Sequence, residues 1–255
     1  LPCFIPMNIW LYTFIIIFAL QMLCYSWAYK NQSDHLTDIS YSATFIIITL
    51  GFLYLLGPLS FSRVALSLMV ILWGIRLGSF LFYRIHKMGK DSRFDSFRSS
   101  QTGFLKFWTL QAVSIFIIIL PTLYGLTNAN LKINFLAMML WLLGFIIQAM
   151  SDHQKFIFKM KTKDKDFISS GWYKYLRHPN YLGEIIMWWA IFLYVFPLLS
   201  GLYWLLMLCP LWITILIVFI SGIPLIEVTY PIKYKNNPNH EAYLNRTWRL
   251  LPWIY

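Results

Sequence analysis

Charged side chains are scarce in this sequence. Asp, Glu, Lys and Arg together make up 12% of the 255 residues, about half of what a soluble domain of this size carries. The scarcity excludes a water-soluble globule, because a soluble core cannot absorb a chain that is 59% hydrophobic. Acidic residues are scarcer than basic ones, 10 against 21, which leaves a net charge of +11. Cysteine is nearly absent: Cys3, Cys24 and Cys209 lie far apart in or beside apolar stretches and form no CxxC pattern, so they suggest packing and no metal site. No internal repeat or low-complexity linker divides the chain, and it reads as a single membrane domain, residues 1–255. A basic-aromatic pattern of the nucleic-acid modules is missing, so nucleic acid is set aside as a partner. The broken-helix repeat of secondary transporters is missing as well.

What is present is a series of apolar runs of roughly 20 residues, long enough to cross a ~30 Å hydrocarbon layer as helices. They fall at about residues 4–28, 40–59, 64–83, 104–125, 135–151, 183–200 and 203–223. The expected fold is therefore all-α: a polytopic membrane protein of about seven transmembrane helices, with membrane lipid standing in for the missing core. The first run has no basic leader and continues past Tyr25 and Trp27, so it reads as an anchor and not as a cleaved signal. Outside the spans, alternate connections hold 18 and 2 basic residues. By the positive-inside rule the richer side, which includes the C-terminal tail, faces the cytoplasm.

Three cytoplasmic inserts follow from that topology: Arg84 to Gly103, Ser151 to Glu184, and the tail from Glu227 to Tyr255. The tail is rich in Tyr, Asn and Pro and is expected to fold as short helices and turns. Arg76 lies deep in the third span, where a cation is expensive and faces a bundle interior or a watery cavity. Glu184, Glu227, Asp152 and Asp38 sit at the cytoplasmic ends of four spans. Each carboxylate can simply snorkel into water; together with Arg76 they can also line a cavity. Carboxylates accept from ribose hydroxyls, an Asn amide both donates and accepts, and Arg neutralises phosphate. Such a cavity at a membrane boundary suits a polar cofactor opposite a lipophilic substrate arriving laterally from the bilayer.

The densest polar string is Arg177-His178-Pro179-Asn180-Tyr181-Leu182-Gly183-Glu184, preceded by Ser170-Gly171-Trp172-Tyr173-Lys174-Tyr175. Pro179 restricts His178 and ends the preceding turn, while Gly183 permits close approach of a backbone or a ligand. This string resembles the signature of the steroid 5-alpha-reductase-like membrane proteins, in particular their bacterial branch. The likeness extends to Trp73-Gly74-Ile75-Arg76-Leu77, Ser151-Asp152-His153-Gln154-Lys155-Phe156, Trp188-Trp189, Ser221-Gly222-Ile223-Pro224-Leu225-Ile226-Glu227 and the stretch from Tyr243 to Pro252.

The resemblance implies a seven-helix reductase in the bacterial inner membrane that holds NADPH from the cytoplasmic side. Its substrate would be a lipid-soluble molecule with a carbon–carbon double bond conjugated to a carbonyl. The cofactor positions it implies are Arg76, Asp152, Asn180, Tyr181 and Glu184, adjoined by Arg177 and His178, with Glu227 where the steroid reductases carry a His. The C-terminal half, about residues 135–255, holds most of them. The Gln-Glu pair of the steroid reductases' second span is missing, and Asp38, Tyr41 and Trp73 stand near its place. Membrane methyltransferases using S-adenosylmethionine share the Arg-His-Pro-x-Tyr-x-Gly core and are the alternative, ahead of a non-enzymatic lipid-binding role. Glu184 directly after the Gly, and loops rich in cations that repel a cationic methyl donor, favour the dinucleotide.

For the chemistry itself, Asp38 and Tyr41 are the candidate catalytic residues. Hydride delivered to an enone leaves negative charge on the carbonyl oxygen, and a donor must stand there. Spaced by three, the two share one helix face, although Asp38 can equally serve as a helix cap.

Overall fold

A computed structural model describes residues 8–33, 35–57, 59–88, 101–162, 166–235 and 237–251. Residues 89–100 of the first insert and the end of the tail lie outside them. The chain is an all-α integral membrane protein with seven helices long and apolar enough to cross a bilayer. The helices are α1 (Asn8–Lys30), α2 (His35–Leu55), α3 (Phe61–Met88), α4 (Gln101–Thr127), α5 (Phe135–Lys161) and α6 (Pro179–Val195), followed by a composite seventh span, Gly201–Lys233. That last span comprises a 3₁₀ turn (Gly201–Met207), α7 (Leu208–Ile215), a π turn (Leu216–Ile220), α8 (Ile223–Glu227) and α9 (Tyr230–Lys233), and α10 (Pro238–Arg246) closes the tail. Among the described residues there is no strand, only one isolated parallel bridge between Leu176 and Trp248.

Three details differ from the hydrophobic pattern. Helix α2 starts at His35, which puts Asp38 inside its first turn and not at its cap. Helix α5 continues to Lys161, ten residues past the apolar run, because a helix need not stop where its sequence turns polar; Asp152 is therefore inside the helix. The seventh span is not one regular helix. Pro224 has no N–H to donate and its ring crowds the carbonyl four residues back. The chain answers with a π turn, in which the Ser221 N–H reaches the Leu216 carbonyl at 2.7 Å. Gly222 is needed at the break, since a Cβ there would lie 2.5 Å from the Ile217 carbonyl oxygen.

Two compact units are present, one from Leu1–Phe135 with Ile191–Trp212, the other from Leu136–Ala190 with Ile213–Tyr255. In the first, α2 and α3 approach closely at Gly74 and Gly78, one turn apart on α3. A Cβ on Gly78 would sit 2.5 Å from the Ser42 hydroxyl, and one on Gly74 2.9 Å from the Ile46 side chain. Small residues at such a seam let helices pack by contact, which matters where lipid provides no hydrophobic drive. A buried polar clasp joins α1, α2 and α4: the Gln21 amide donates to the Thr44 hydroxyl at 2.8 Å, and Gln111 donates to the Gln21 carbonyl oxygen at 2.8 Å. Away from water these amides are satisfied by one another. At the other end of this unit, Ser62 donates to the Leu131 carbonyl (2.7 Å), Tyr194 to the Ser62 carbonyl (3.1 Å) and Tyr124 to the Leu198 carbonyl (2.9 Å). The connections after the second, fourth and sixth spans are thus laced together, as expected for a chain that alternates across a membrane.

In the second unit, α5 and α6 touch backbone to backbone at Gly144 and Gly183. A Cβ on Gly183 would fall 2.5 Å from the Gly144 carbonyl oxygen and 2.7 Å from the Gln148 nitrogen. The close approach that Gly183 permits is that of another helix. Val218, Ile223 and Leu250 form a small core against Tyr181, Leu182 and Ile185, which fixes the seventh span and the tail to α6.

Candidate functional site

The motif is shaped before α6 begins. Gly171 has φ +61° and faces Gln154 so closely that any Cβ would overlap its side chain. Gln154 in turn accepts the Trp172 N–H at 3.1 Å. Tyr173, buried, donates to the Ser151 carbonyl at 3.3 Å, with the Lys155 ammonium 5.9 Å from its ring centre. The extended stretch that follows pairs with the tail: the Arg177 N–H donates to the Trp248 carbonyl at 2.9 Å and the Trp248 N–H to the Tyr175 carbonyl at 3.1 Å. Pro179 then opens α6 in the first helical position, where its missing N–H costs nothing.

This lacing gathers charges on one carboxylate. Glu227, at the end of α8, receives His178 Nε2 at 2.9 Å and Arg177 at 3.5 Å on one oxygen, and Arg249 at 2.7 Å on the other. His178 has 0% of its surface exposed. Burial pulls its imidazole below the ordinary value, outweighing the upward pull of the Glu227 hydrogen bond. The ring is therefore neutral near pH 7, and because a carboxylate only accepts, the single ring proton sits on Nε2. Nδ1 is left as a lone pair, and among the described residues neither it nor Arg177 Nε has a hydrogen-bond partner.

Beside it, Asn180 donates to Asp152 at 3.1 Å, and its carbonyl oxygen is buried without a partner among the described residues. Tyr181 stacks on His178 with ring centres 5.8 Å apart. Glu184 is 7% exposed, so the snorkelling alternative fails for it. One of its oxygens accepts from Gln148 and the other from the Trp188 indole at 2.8 Å. Trp188, part of the likeness noted in the sequence, is thus a partner of the buried carboxylate.

A layer of rings from the tail and the preceding insert completes the unit: His240 lies 4.3 Å from Tyr234, 5.2 Å from Tyr230 and 5.0 Å from Phe167 between ring centres. Burial, then the Arg177 charge, lowers the His240 imidazole. Burial lifts the Tyr243 hydroxyl to about 12 and the Tyr173 hydroxyl well above its usual value, so both remain donors at neutral pH.

The structure thus brings Asp152, Arg177, His178, Asn180, Tyr181, Glu184 and Glu227 into the second unit. Arg76, Asp38 and Tyr41 belong to the first. There the Arg76 guanidinium lies 5.5 Å from the Phe80 ring centre, and Arg84 reaches Asp38 at 3.7 Å. Tyr41 meets the Trp73 ring edge-on at 6.0 Å. Both candidate catalytic residues therefore lie toward α3, a partner that their spacing on one helix face did not name. Sequence reasoning missed Gln148, Gln154, Arg249 and the ring layer. Gln148 was within reach, since Gly144, Gln148, Ser151 and Asp152 recur at helical spacing; Arg249 was not, because only the backbone bridge at Trp248 carries it to Glu227. Among the described residues no group of three or more His, Cys, Asp or Glu side chains is arranged to hold a metal ion.

A family model described as a protein of unknown function, DUF1295, matches residues 24–247, a stretch that takes in every site residue named from the sequence. No curated protein and no solved structure matches the chain.

Proposed function

The chain belongs to the DUF1295 family, and from that premise we propose that it is a membrane reductase that binds NADPH on its cytoplasmic side and acts on a carbon–carbon double bond conjugated to a carbonyl in a lipophilic substrate. One observation supports this reading above the others. Buried polar atoms of Asn180, His178 and Arg177 lack partners among the described residues, in a cluster that also holds Lys155 and Arg249. Unpaired buried polar atoms are costly, and these ones suit the groups of a dinucleotide. Arg177, Arg249 and Lys155 match phosphate, Asp152 matches ribose hydroxyls, and the Asn180 carbonyl oxygen and His178 Nδ1 accept from a carboxamide. The likeness of the Arg177–Glu184 string to the steroid 5-alpha-reductase-like proteins supports the same choice.

NADPH, when bound, supplies the hydride. The protein's contribution is then to hold and to donate. Glu227 keeps Arg177 and Arg249 in place, and its hydrogen bond keeps the His178 proton on Nε2. Buried Glu184 anchors α5 to α6 through Gln148, which sets Asp152 and Asn180 face to face. The Tyr41 hydroxyl and the Asp38–Arg84 pair are the groups proposed to meet a carbonyl oxygen of the substrate as it gains negative charge.

Variants separate these roles. Asn180→Ala and Arg177→Ala are expected to weaken NADPH binding by about tenfold each while the protein still folds. Tyr41→Phe and Asp38→Asn are expected to leave that affinity unchanged and to slow oxidation of bound NADPH by an enone by about a hundredfold. Unaltered NADPH affinity in both of the first pair, measured on folded protein, would contradict the assignment.

A further inference from the structure

The laced connections of the first unit enclose a cleft of about 930 Å³ between the end of α4 and the segment that follows α6. Its two walls are held at a fixed spacing. Tyr124 donates across them to the Leu198 carbonyl at 2.9 Å, and Asn134 to the Leu193 carbonyl at 2.9 Å. A cleft braced in this way is formed before any ligand arrives.

Its lining is chemically one-sided. Asn128, Asn130, Lys132 and Ser200 supply amides, a hydroxyl and an ammonium, and no carboxylate lines the cleft. One positive charge with no negative one favours an anion. The amides favour a ligand rich in hydroxyls, which they meet as donors and acceptors together. The Tyr124 and Tyr203 rings, 4.4 Å apart, offer an apolar wall to a carbon backbone. The volume sits at the upper end of small-molecule sites and far exceeds what a free inorganic anion needs.

Next to the cleft the surface turns apolar: Phe135 is 70% exposed, Leu202 78% and Trp204 48%. In a membrane protein such side chains meet lipid, with Trp at the level of the head groups. A polar, cationic recess opening beside an acyl-chain surface fits a molecule with both characters. We infer that this cleft binds the phosphoglycerol head group of an anionic membrane lipid. The inference does not depend on the reductase reading.

The test uses the full-length protein in detergent, with binding followed by native mass spectrometry. Three probes are compared: a short-chain phosphatidylglycerol, a phosphatidylcholine of equal chain length, and free glycerol 3-phosphate. Phosphatidylglycerol is expected to bind about tenfold more tightly than phosphatidylcholine. Lys132→Gln and Asn130→Ala, both at exposed positions, are expected to remove most of that preference without changing the unfolding midpoint of lipid-free protein. Equal affinity for the two lipids would overturn the proposal, as would a preference that survives Lys132→Gln. Binding of glycerol 3-phosphate as tight as that of phosphatidylglycerol would overturn the lipid assignment in favour of a soluble ligand.

Discussion

His178 carries more of the site's logic than any other single residue. Its position was legible, because Pro179 restricts it and the motif surrounds it; its protonation was not, since that depends on complete burial and on Glu227, 49 residues away in the chain. The consequence is a pH dependence with a definite sign. His178 and His240 are both held below the ordinary imidazole value of 6.5, chiefly by burial. As pH falls through 6.5 the unfolded chain takes up protons that the folded chain refuses, so stability is full above that value and is lost toward the lowered folded values. The unfolding midpoint is expected to be flat from about pH 8 to 7 and to drop between about pH 6.5 and 5. His178→Asn and His240→Asn together should flatten that drop. A midpoint that stays constant or rises over the acidic interval in the unmodified protein would contradict the neutral, buried imidazole.

Among the elements, the apolar runs located the first six helices but not their true ends, because hydrophobicity marks where lipid begins and not where hydrogen bonding stops. The break in the last span was written in Gly222 and Pro224, yet a run of leucine and isoleucine before them masks it. Helix contacts were partly legible in the same way. Glycine marks a possible close approach, and the structure decides which glycines are used. Gly183→Ala is expected to destabilise the protein by about 1–3 kcal/mol, since its Cβ would meet the Gly144 carbonyl oxygen, the Gln148 nitrogen and the Gln148 Cβ, none of which is the far end of a flexible side chain. Gly51, on the exposed face of α2, has nothing within 4 Å of its would-be Cβ; Gly51→Ala should stabilise by roughly 0.5–1 kcal/mol. Thermal unfolding of the two variants checks the pair. Equal, small effects at both glycines would mean that α5 and α6 do not meet through their backbones.

For the whole molecule, the number of spans followed from apolar length alone. The grouping into two compact units did not, because each unit is assembled from two separate stretches of the chain and lipid-facing and helix-facing apolar residues look alike in sequence. Substrate shape and oligomeric state left no readable trace for the same reason. The candidate site was legible as a string and incomplete as a constellation: the string named Arg177 to Glu184, Gln148 was traceable through the helical spacing of α5, and Arg249 is carried to Glu227 only by the backbone bridge at Trp248. The distinction that matters most is between a dinucleotide and a methyl donor, since both chemistries share the core of that string. Parallel calorimetric titrations of the purified full-length protein with NADPH and with S-adenosylmethionine separate them directly. Saturable binding of NADPH with none of S-adenosylmethionine is the expected result; saturable binding of S-adenosylmethionine with none of NADPH would contradict the reductase proposal.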